Sequence, residues 1–191
     1  SQSIYWDGTR FLGVSGTKLS YSTTGLNNAW SDSTINAGFG GYGICFGNSL
    51  YIAVGQTGAI YTSTDRSTWI SRTCGTSDLL YSVEYSSTLG LYCAVGNAGT
   101  IITSPDGTTW TTRTTPSGVT SLRRIKWSSS HSKFFAVGGT KIIYSSDGIT
   151  WYASSYAGGT DYYDIAFNSL EAVVTTQNSQ LAYKSSLGFV F

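Results

Sequence analysis

The chain has 191 residues, among them 30 Ser, 26 Thr and 23 Gly, with 15% aromatic residues, only 11% charged residues and a net charge of +1. That length supports one domain able to bury its own core, and 14 Tyr, 8 Phe and 6 Trp exclude a solvated, disordered tract. The near-neutral charge, with no basic run beyond Arg123-Arg124, argues against nucleic acid as a partner, and no apolar run approaches the roughly 18 residues of a membrane-spanning helix.

Helical periodicity is nearly absent, and short runs rich in Tyr, Val, Ile and Thr are broken by Gly, Asn, Asp and Ser at intervals of about 8 to 12 residues. These runs repeat. Ser3-Ile4-Tyr5-Trp6, Gly43-Ile44-Cys45-Phe46, Ser82-Val83-Glu84-Tyr85, Arg124-Ile125-Lys126-Trp127 and Asp164-Ile165-Ala166-Phe167 share one pattern of x, β-branched, x, aromatic, starting 40, 39, 42 and 40 residues apart. A second strand follows each, as Phe11-Leu12-Gly13-Val14, Tyr51-Ile52-Ala53-Val54, Tyr92-Cys93-Ala94-Val95, Phe134-Phe135-Ala136-Val137 and Glu171-Ala172-Val173-Val174. In the middle three copies Val-Gly then reads as a tight reversal, leading to third strands such as Ala59-Ile60-Tyr61-Thr62. An aromatic announces the fourth strand, as Trp30, Trp69, Trp110, Trp151 and finally Phe191.

Four strands in about 40 residues, repeated five times, predict an all-β, five-bladed β-propeller of four-stranded blades. It forms a single domain over 1–191, with blades near 1–36, 37–76, 77–117, 118–157 and 158–191. On this reading each blade is built from its own segment, so closure rests on packing between blades. The fifth outermost strand is short, which leaves open its completion by a neighbouring chain or by further residues.

The turn before the fourth strand carries the most specific motif. It reads Ser104-Pro105-Asp106-Gly107-Thr108-Thr109-Trp110 and Ser145-Ser146-Asp147-Gly148-Ile149-Thr150-Trp151, with Ser63-Thr64-Asp65-Arg66-Ser67-Thr68-Trp69 a close variant. Degenerate copies stand at Ser22-Thr23-Thr24-Gly25 and Ser185-Ser186-Leu187-Gly188. The motif resembles the Asp-box, S-x-D-x-G-x-x-W, of the bacterial-neuraminidase-type repeat family. The whole repeat is similar to those of photosystem II assembly-factor-like propellers and of phage tail and fibre proteins. Ser and Asp are expected to bond the turn's own N–H groups, Gly to supply a positive φ and the indole to wedge between blades. The resemblance implies that the boxes lie on the face away from the functional site, in a structural role.

A neuraminidase-like enzyme needs an arginine triad, a Tyr with a neighbouring Glu, and an Asp. Among six arginines no triad is legible: Arg72 and Arg113 recur at one repeat position, Arg66 lies inside a box, and of the two glutamates Glu171 reads as replacing the aromatic that opens a second strand. His131, in a serine-rich loop, reads as solvent-exposed. Cys45 and Cys93 read as buried small hydrophobes, Cys74 is left open to a disulfide, and no spacing suggests a metal or cofactor site. Equivalent inner-strand positions pair Glu84 with Lys126 and Arg124 with Asp164 across neighbouring blades. Tyr42, Tyr81, Arg123 and Tyr163 fall in one register at the ends of the inner strands, with Gln56, Asn97 and Asn178 on the reversals beside them. Aromatic planes next to such polar groups suit sugar rings.

The expectation is therefore a non-catalytic binding and structural module: a virion-surface protein, as in a phage fibre, tail or capsid decoration, attached to other virion subunits and recognising a host or other glycan. A secreted lectin is the alternative, and a sialidase-type glycosidase a lesser one. With no leader legible in the chain, a virion surface or extracellular setting is expected, without membrane insertion and with homo-oligomer formation left open.

Overall fold

A computed structural model describes residues 3–26, 29–35, 39–157, 161–168, 171–176 and 181–186. They form five antiparallel sheets in chain order. The first contains β1 (Ser3–Trp6), β2 (Phe11–Ser15), β3 (Lys18–Ser22) and β4 (Ser31–Thr34), and the second β5 (Gly41–Gly47), β6 (Leu50–Gly55), β7 (Ile60–Ser63) and β8 (Ile70–Arg72). The third contains β9 (Leu80–Ser86), β10 (Leu91–Gly96), β11 (Ile101–Ser104) and β12 (Thr111–Thr112), and the fourth β13 (Arg124–Ser128), β14 (Lys133–Gly138), β15 (Lys141–Ser145) and β16 (Tyr152–Ala157). The fifth comprises β17 (Tyr162–Phe167), β18 (Glu171–Thr176) and β19 (Leu181–Ser186). Phe191 and Asn178 lie outside the described residues.

Each sheet pairs its strands in sequence order, and its first strand lies beside the first strand of the next sheet, from β1 through β5, β9 and β13 to β17. Because an inner sheet has a neighbour on both faces, its second strand is buried on both: Ile52, Ala53 and Val54 in β6 and Cys93, Ala94 and Val95 in β10 are all 0% exposed. Period-two side-chain alternation therefore divides each such strand between two cores. Ile52 and Val54 pack towards the third sheet with Tyr92 and Ala94, while Tyr51 and Ala53 pack towards the first with Leu12, Val14 and Leu19. The third and fourth sheets meet through Cys93, Val95, Ile125, Phe134 and Ala136, and the fourth and fifth through Phe135, Val137, Ile165 and Val174. Burial of this apolar surface, at about 25 cal/mol per Å², drives the stacking.

Strand pairing corrects one alignment made from sequence. The aromatic near the end of each first strand pairs with one fixed residue near the start of the second, as Trp6–Phe11, Phe46–Tyr51, Tyr85–Tyr92, Trp127–Phe134 and Phe167–Ala172. Ala172, not Glu171, thus holds the aromatic position. The Val173-Val174 pair allows the sequence to slide by one residue, whereas the hydrogen-bond register does not.

The Val-Gly dipeptides are also corrected. Gly55, Gly96 and Gly138 are not left-handed turn residues; they end β6, β10 and β14 where the segment from the preceding sheet's outer strand crosses closely. A Cβ on Gly96 would stand 2.2 Å from the Leu79 carbonyl oxygen, and one on Gly138 2.4 Å from that of Ser121. Backbone hydrogen bonds stitch the crossings, Asn97 N–H to Leu79 O at 2.8 Å and Leu122 N–H to Gly96 O at 2.9 Å.

The box turns form as their residue types dictate. Ser104 Oγ accepts the Gly107 N–H at 2.8 Å and donates to Asp106 Oδ1 at 2.9 Å, while that oxygen accepts the N–H groups of Thr108 and Thr109, both at 2.8 Å. The same bonds recur around Ser145 and Asp147 and around Ser63 and Asp65. Ser22 keeps the serine half of the pattern, accepting from Thr24 and Gly25. Gly107 and Gly148 take φ of 72° and 70°, and Arg66 adopts 70° at the same position without glycine's freedom. Each indole donates back to its turn, from Trp69 to Arg66 O, Trp110 to Gly107 O and Trp151 to Gly148 O, and its ring enters the core shared with the preceding sheet.

The N–H groups of Thr68 and Ser67 hold the Asp65 carboxyl well below the usual carboxylate range, and those of Thr109 and Thr108 do the same for Asp106. Burial raises Asp147, but the Ile149 and Thr150 N–H groups outweigh it and the net shift is downward. A depressed folded-state pKa stabilises above the unfolded value, about 3.9 for Asp, and this contribution is lost as pH falls through the folded value. The melting temperature is therefore expected to hold steady above pH ~5 and to fall steeply below ~4, with a shallower fall in Asp106→Asn. Thermal unfolding of both proteins across pH 2 to 6 checks this.

Candidate functional site

At the end of the strands opposite the boxes, the first strands carry a recurrent irregularity. In β5 the pairing to β6 runs Gly41–Gly55 then Gly43–Val54, so Tyr42 is the extra residue of a β-bulge. In β9 it runs Ser82–Val95 then Leu80–Gly96, leaving Tyr81 over, and in β17 it runs Tyr162–Thr176 then Asp164–Thr175, leaving Tyr163 over. Arg123 stands at the matching place just before β13, its N–H bonded to Val137 O at 2.7 Å. A bulge re-aims the side chain of the residue it leaves unpaired. Bulges in the second, third and fifth sheets, with Arg123 from the fourth, thus gather four side chains over the inner-strand ends.

The four side chains touch. Tyr42 and Tyr81 meet edge to face with centroids 5.6 Å apart at 90°, and the Arg123 guanidinium lies 5.5 Å from the Tyr81 ring centroid and 4.7 Å from that of Tyr163. Together with Arg124 they line a cavity of about 200 Å³. Cation–π contact on two sides holds the guanidinium plane in place. Among the described residues no carboxylate lies within ion-pair distance of Arg123, and its Nε is buried without a hydrogen-bond partner. Arg124 is neutralised instead, its Nε 2.9 Å from Asp164 Oδ1.

One layer deeper, Lys126 Nζ lies 3.6 Å from Glu84 Oε2, with the Glu84 side chain 13% exposed. Both inter-sheet pairs expected from the repeat register are therefore present. Burial pushes the Glu84 carboxyl up, against the pull of Lys126. A raised folded-state pKa favours the protonated form, so Glu84 costs stability as pH rises above its unfolded value, about 4.3. Because Lys126 is 40% exposed and stays hydrated without its partner, Glu84→Gln is expected to leave the pH 7 denaturation midpoint unchanged or raised, and to lose that advantage near pH 4. Urea titrations at the two pH values measure it, and a marked fall in midpoint at pH 7 would make the ion pair a net support of the seam.

The remaining residues considered from sequence fall elsewhere. Arg72 and Arg113 bond Thr62 Oγ1 and Thr103 Oγ1 through Nε at 2.9 and 2.8 Å, tying β8 to β7 and the segment after β12 to β11. Arg66 Nη1 donates to Tyr51 OH, which donates to Asp7 Oδ2, both at 2.9 Å, joining the first hairpin to the second sheet's box. The Asp7 and Tyr51 half of this network was not legible, because its members come from different sheets. His131 corrects its solvent-exposed reading: it is half-buried, its Nδ1 2.7 Å from Ser128 Oγ and its ring edge-on to Phe135 at 6.0 Å, close to Phe167 of the next sheet. Cys45, Cys74 and Cys93 are free, buried thiols, and Cys74 donates to Gly58 O.

No protein-family model and no curated protein sequence matches the chain. Solved structures do resemble it. The WD40 β-propeller domain of Doa1 superposes with a TM-score of 0.70 at 12% identity, covering 96% of this chain and 67% of that one. YCF48 bound to D1 peptide gives 0.61 at 17% identity, over 92% of this chain and 60% of that one. A catalytically inactive virginiamycin B lyase from Staphylococcus aureus with quinupristin gives 0.76 at 11%, over 98% and 70%. At these identities the likeness establishes the fold: the chain is a repeat β-propeller, and it spans 60 to 70% of the chains it resembles. Their functions are diverse, so the likeness assigns none to this chain.

Proposed function

We propose that this chain is a non-catalytic binding module, five blades of Asp-box type, whose ligand site is the Tyr42, Tyr81, Arg123 and Tyr163 cluster and whose ligand is a glycan. The observation that carries the reading is the Arg123 guanidinium, held between the Tyr81 and Tyr163 rings at the mouth of a cavity of about 200 Å³. Flat aromatic faces stack on the apolar faces of sugar rings while a fixed guanidinium offers in-plane donors to ring hydroxyls or a carboxylate. A site held by packing before the ligand arrives loses less entropy on binding.

The biological setting we propose is a virion surface, as part of a phage fibre, tail or capsid decoration, with other virion subunits as protein partners. Its support is the low-charge, Ser/Thr/Gly-rich composition and the repeat's resemblance to phage proteins. The secreted lectin uses the same cluster and differs in setting alone. Favouring binding over sialidase chemistry, only Arg123 and Arg124 of the six arginines line the cavity, and Arg124 is engaged by Asp164.

A glycan array with a fluorogenic sialoside assayed in parallel tests the reading. The expected result is saturable binding without turnover, weakened about tenfold or more in Tyr81→Ala, the loss typical of a central aromatic contact. Turnover of the sialoside would replace the reading with an enzymatic one, and an array with no binding would remove the glycan.

A further inference from the structure

Around the cavity over the inner-strand ends, the cations Arg123, Arg124 and Lys126 stand against the carboxylates Asp164 and Glu84 alone among the described residues. Arg124 is taken by Asp164 at 2.9 Å, and Lys126 faces Glu84 at 3.6 Å. Arg123 is the cation left over. Among the described residues its guanidinium has neither an ion-pair nor a hydrogen-bond partner, and its Nε is buried in that state. A partly buried cation whose donors are unmade costs free energy that an arriving acceptor recovers, and a charged acceptor recovers most.

The surroundings of Arg123 select which acceptor fits. The Tyr81 and Tyr163 ring centroids lie 5.5 and 4.7 Å from the guanidinium carbon on its two sides, so a ligand meets the guanidinium along its plane. A carboxylate is itself planar and pairs with such a fork through two parallel hydrogen bonds. A neutral sugar would supply hydroxyl acceptors but would strip water from the guanidinium without supplying a counter-charge. Asp164 limits the number of anionic groups: its half-exposed carboxylate, which also accepts the Ile165 N–H at 2.8 Å, stands beside Arg124 and repels a second negative charge. Size limits the ligand further. A cavity of about 200 Å³ is smaller than the roughly 300 Å³ at which drug-sized ligands begin to fit, and so takes one compact sugar ring.

We propose that the ligand is a glycan ending in a hexuronate, whose carboxylate pairs in plane with Arg123 while its ring lies against the tyrosines that line the cavity. The proposal rests on the glycan reading of this site and narrows it to singly charged acidic sugars.

The test is calorimetric titration of the unmodified protein with the methyl glycosides of glucuronic, galacturonic and mannuronic acid. Each is paired with its methyl ester, which keeps the shape and removes the charge; sodium acetate and a methyl sialoside are run beside them. At least one acid is expected to bind about tenfold or more tightly than its ester, and more tightly than acetate or the sialoside. Acid and ester binding alike, or neutral glycans bound on the array with no uronide bound, would overturn the hexuronate and leave the glycan reading standing. Acetate binding as tightly as the uronides would reduce the site to a simple anion site, and a tighter sialoside would replace the hexuronate by a larger acid. No binding by any sugar, on the array or in titration, would remove both readings. In Arg123→Gln, checked for folding by circular dichroism, the ratio of acid to ester affinity is expected to fall to about one; a folded variant that keeps the preference would place the carboxylate elsewhere and overturn the assignment.

Discussion

Replacing Trp151 by alanine is expected to lower the unfolding free energy by about 3–5 kcal/mol. The indole is 7% exposed and sits in the core shared by the third and fourth sheets, among Cys93, Val95, Ile101, Ile125, Phe134 and Ile143. Truncation opens a cavity in the seam, since the ring packs among buried residues of both sheets and lies 6.4 Å from the ring of Phe134. It also leaves the Gly148 carbonyl without its indole donor, worth about 1 kcal/mol. Against a total stability of about 5–15 kcal/mol this is a large share. Trp151→Phe separates the two contributions, because it keeps most of the volume and loses the hydrogen bond. Urea unfolding of both variants measures them; a loss under about 1 kcal/mol for the alanine variant would mean that the box tryptophans decorate the seams rather than build them.

Gly96→Ala is expected to cost about 3 kcal/mol and to disturb the candidate site as well as stability. The new methyl would meet the Leu79 carbonyl oxygen at 2.2 Å and the Leu80 Cα at 3.1 Å, both backbone atoms that no rotamer change can move aside. Those atoms lead directly into the bulge that aims Tyr81, so relief of the clash displaces Tyr81 from Arg123 and Tyr42. Gly75→Ala, where a Cβ meets nothing within 4 Å, carries the left-handed backbone penalty without the clash and serves as the comparison. The combined signature is a lower denaturation midpoint for Gly96→Ala together with weakened ligand binding, and a smaller loss of stability with intact binding for Gly75→Ala.

Why the strands, the repeat and the boxes were legible in sequence follows from their periodicity. The aromatic that ends each first strand and the box tryptophan recur at fixed places, and the Ser-Asp turn is stabilised by neighbours within four residues. The ion pairs Arg124–Asp164 and Glu84–Lys126 followed from register alone, since equivalent positions of adjacent inner strands must meet. What escaped was set by partners distant in sequence. A bulge is one residue too many relative to the opposing strand, so Tyr42, Tyr81 and Tyr163 could be seen to share a register but not to be thrown out of the ladder together. Gly96 looked like a turn residue because its real constraint is the crossing backbone at Leu79. His131 looked exposed because Phe167, which shields it, belongs to the next sheet.

The binding surface proposed for this propeller is the convergence of Tyr42, Tyr81, Arg123 and Tyr163. Arg123 Nε, buried and without a hydrogen-bond partner among the described residues, gives a side-chain N–H resonance sensitive to anything bound at the cavity mouth. Titrating an array-derived glycan into isotope-labelled protein should shift this resonance and the ring signals of Tyr42, Tyr81 and Tyr163, while leaving the Ser104 to Trp110 turn at the opposite end unchanged. Shifts concentrated at the box turns or along the outer strands, with Arg123 unmoved, would contradict the account and place the binding surface elsewhere on the propeller.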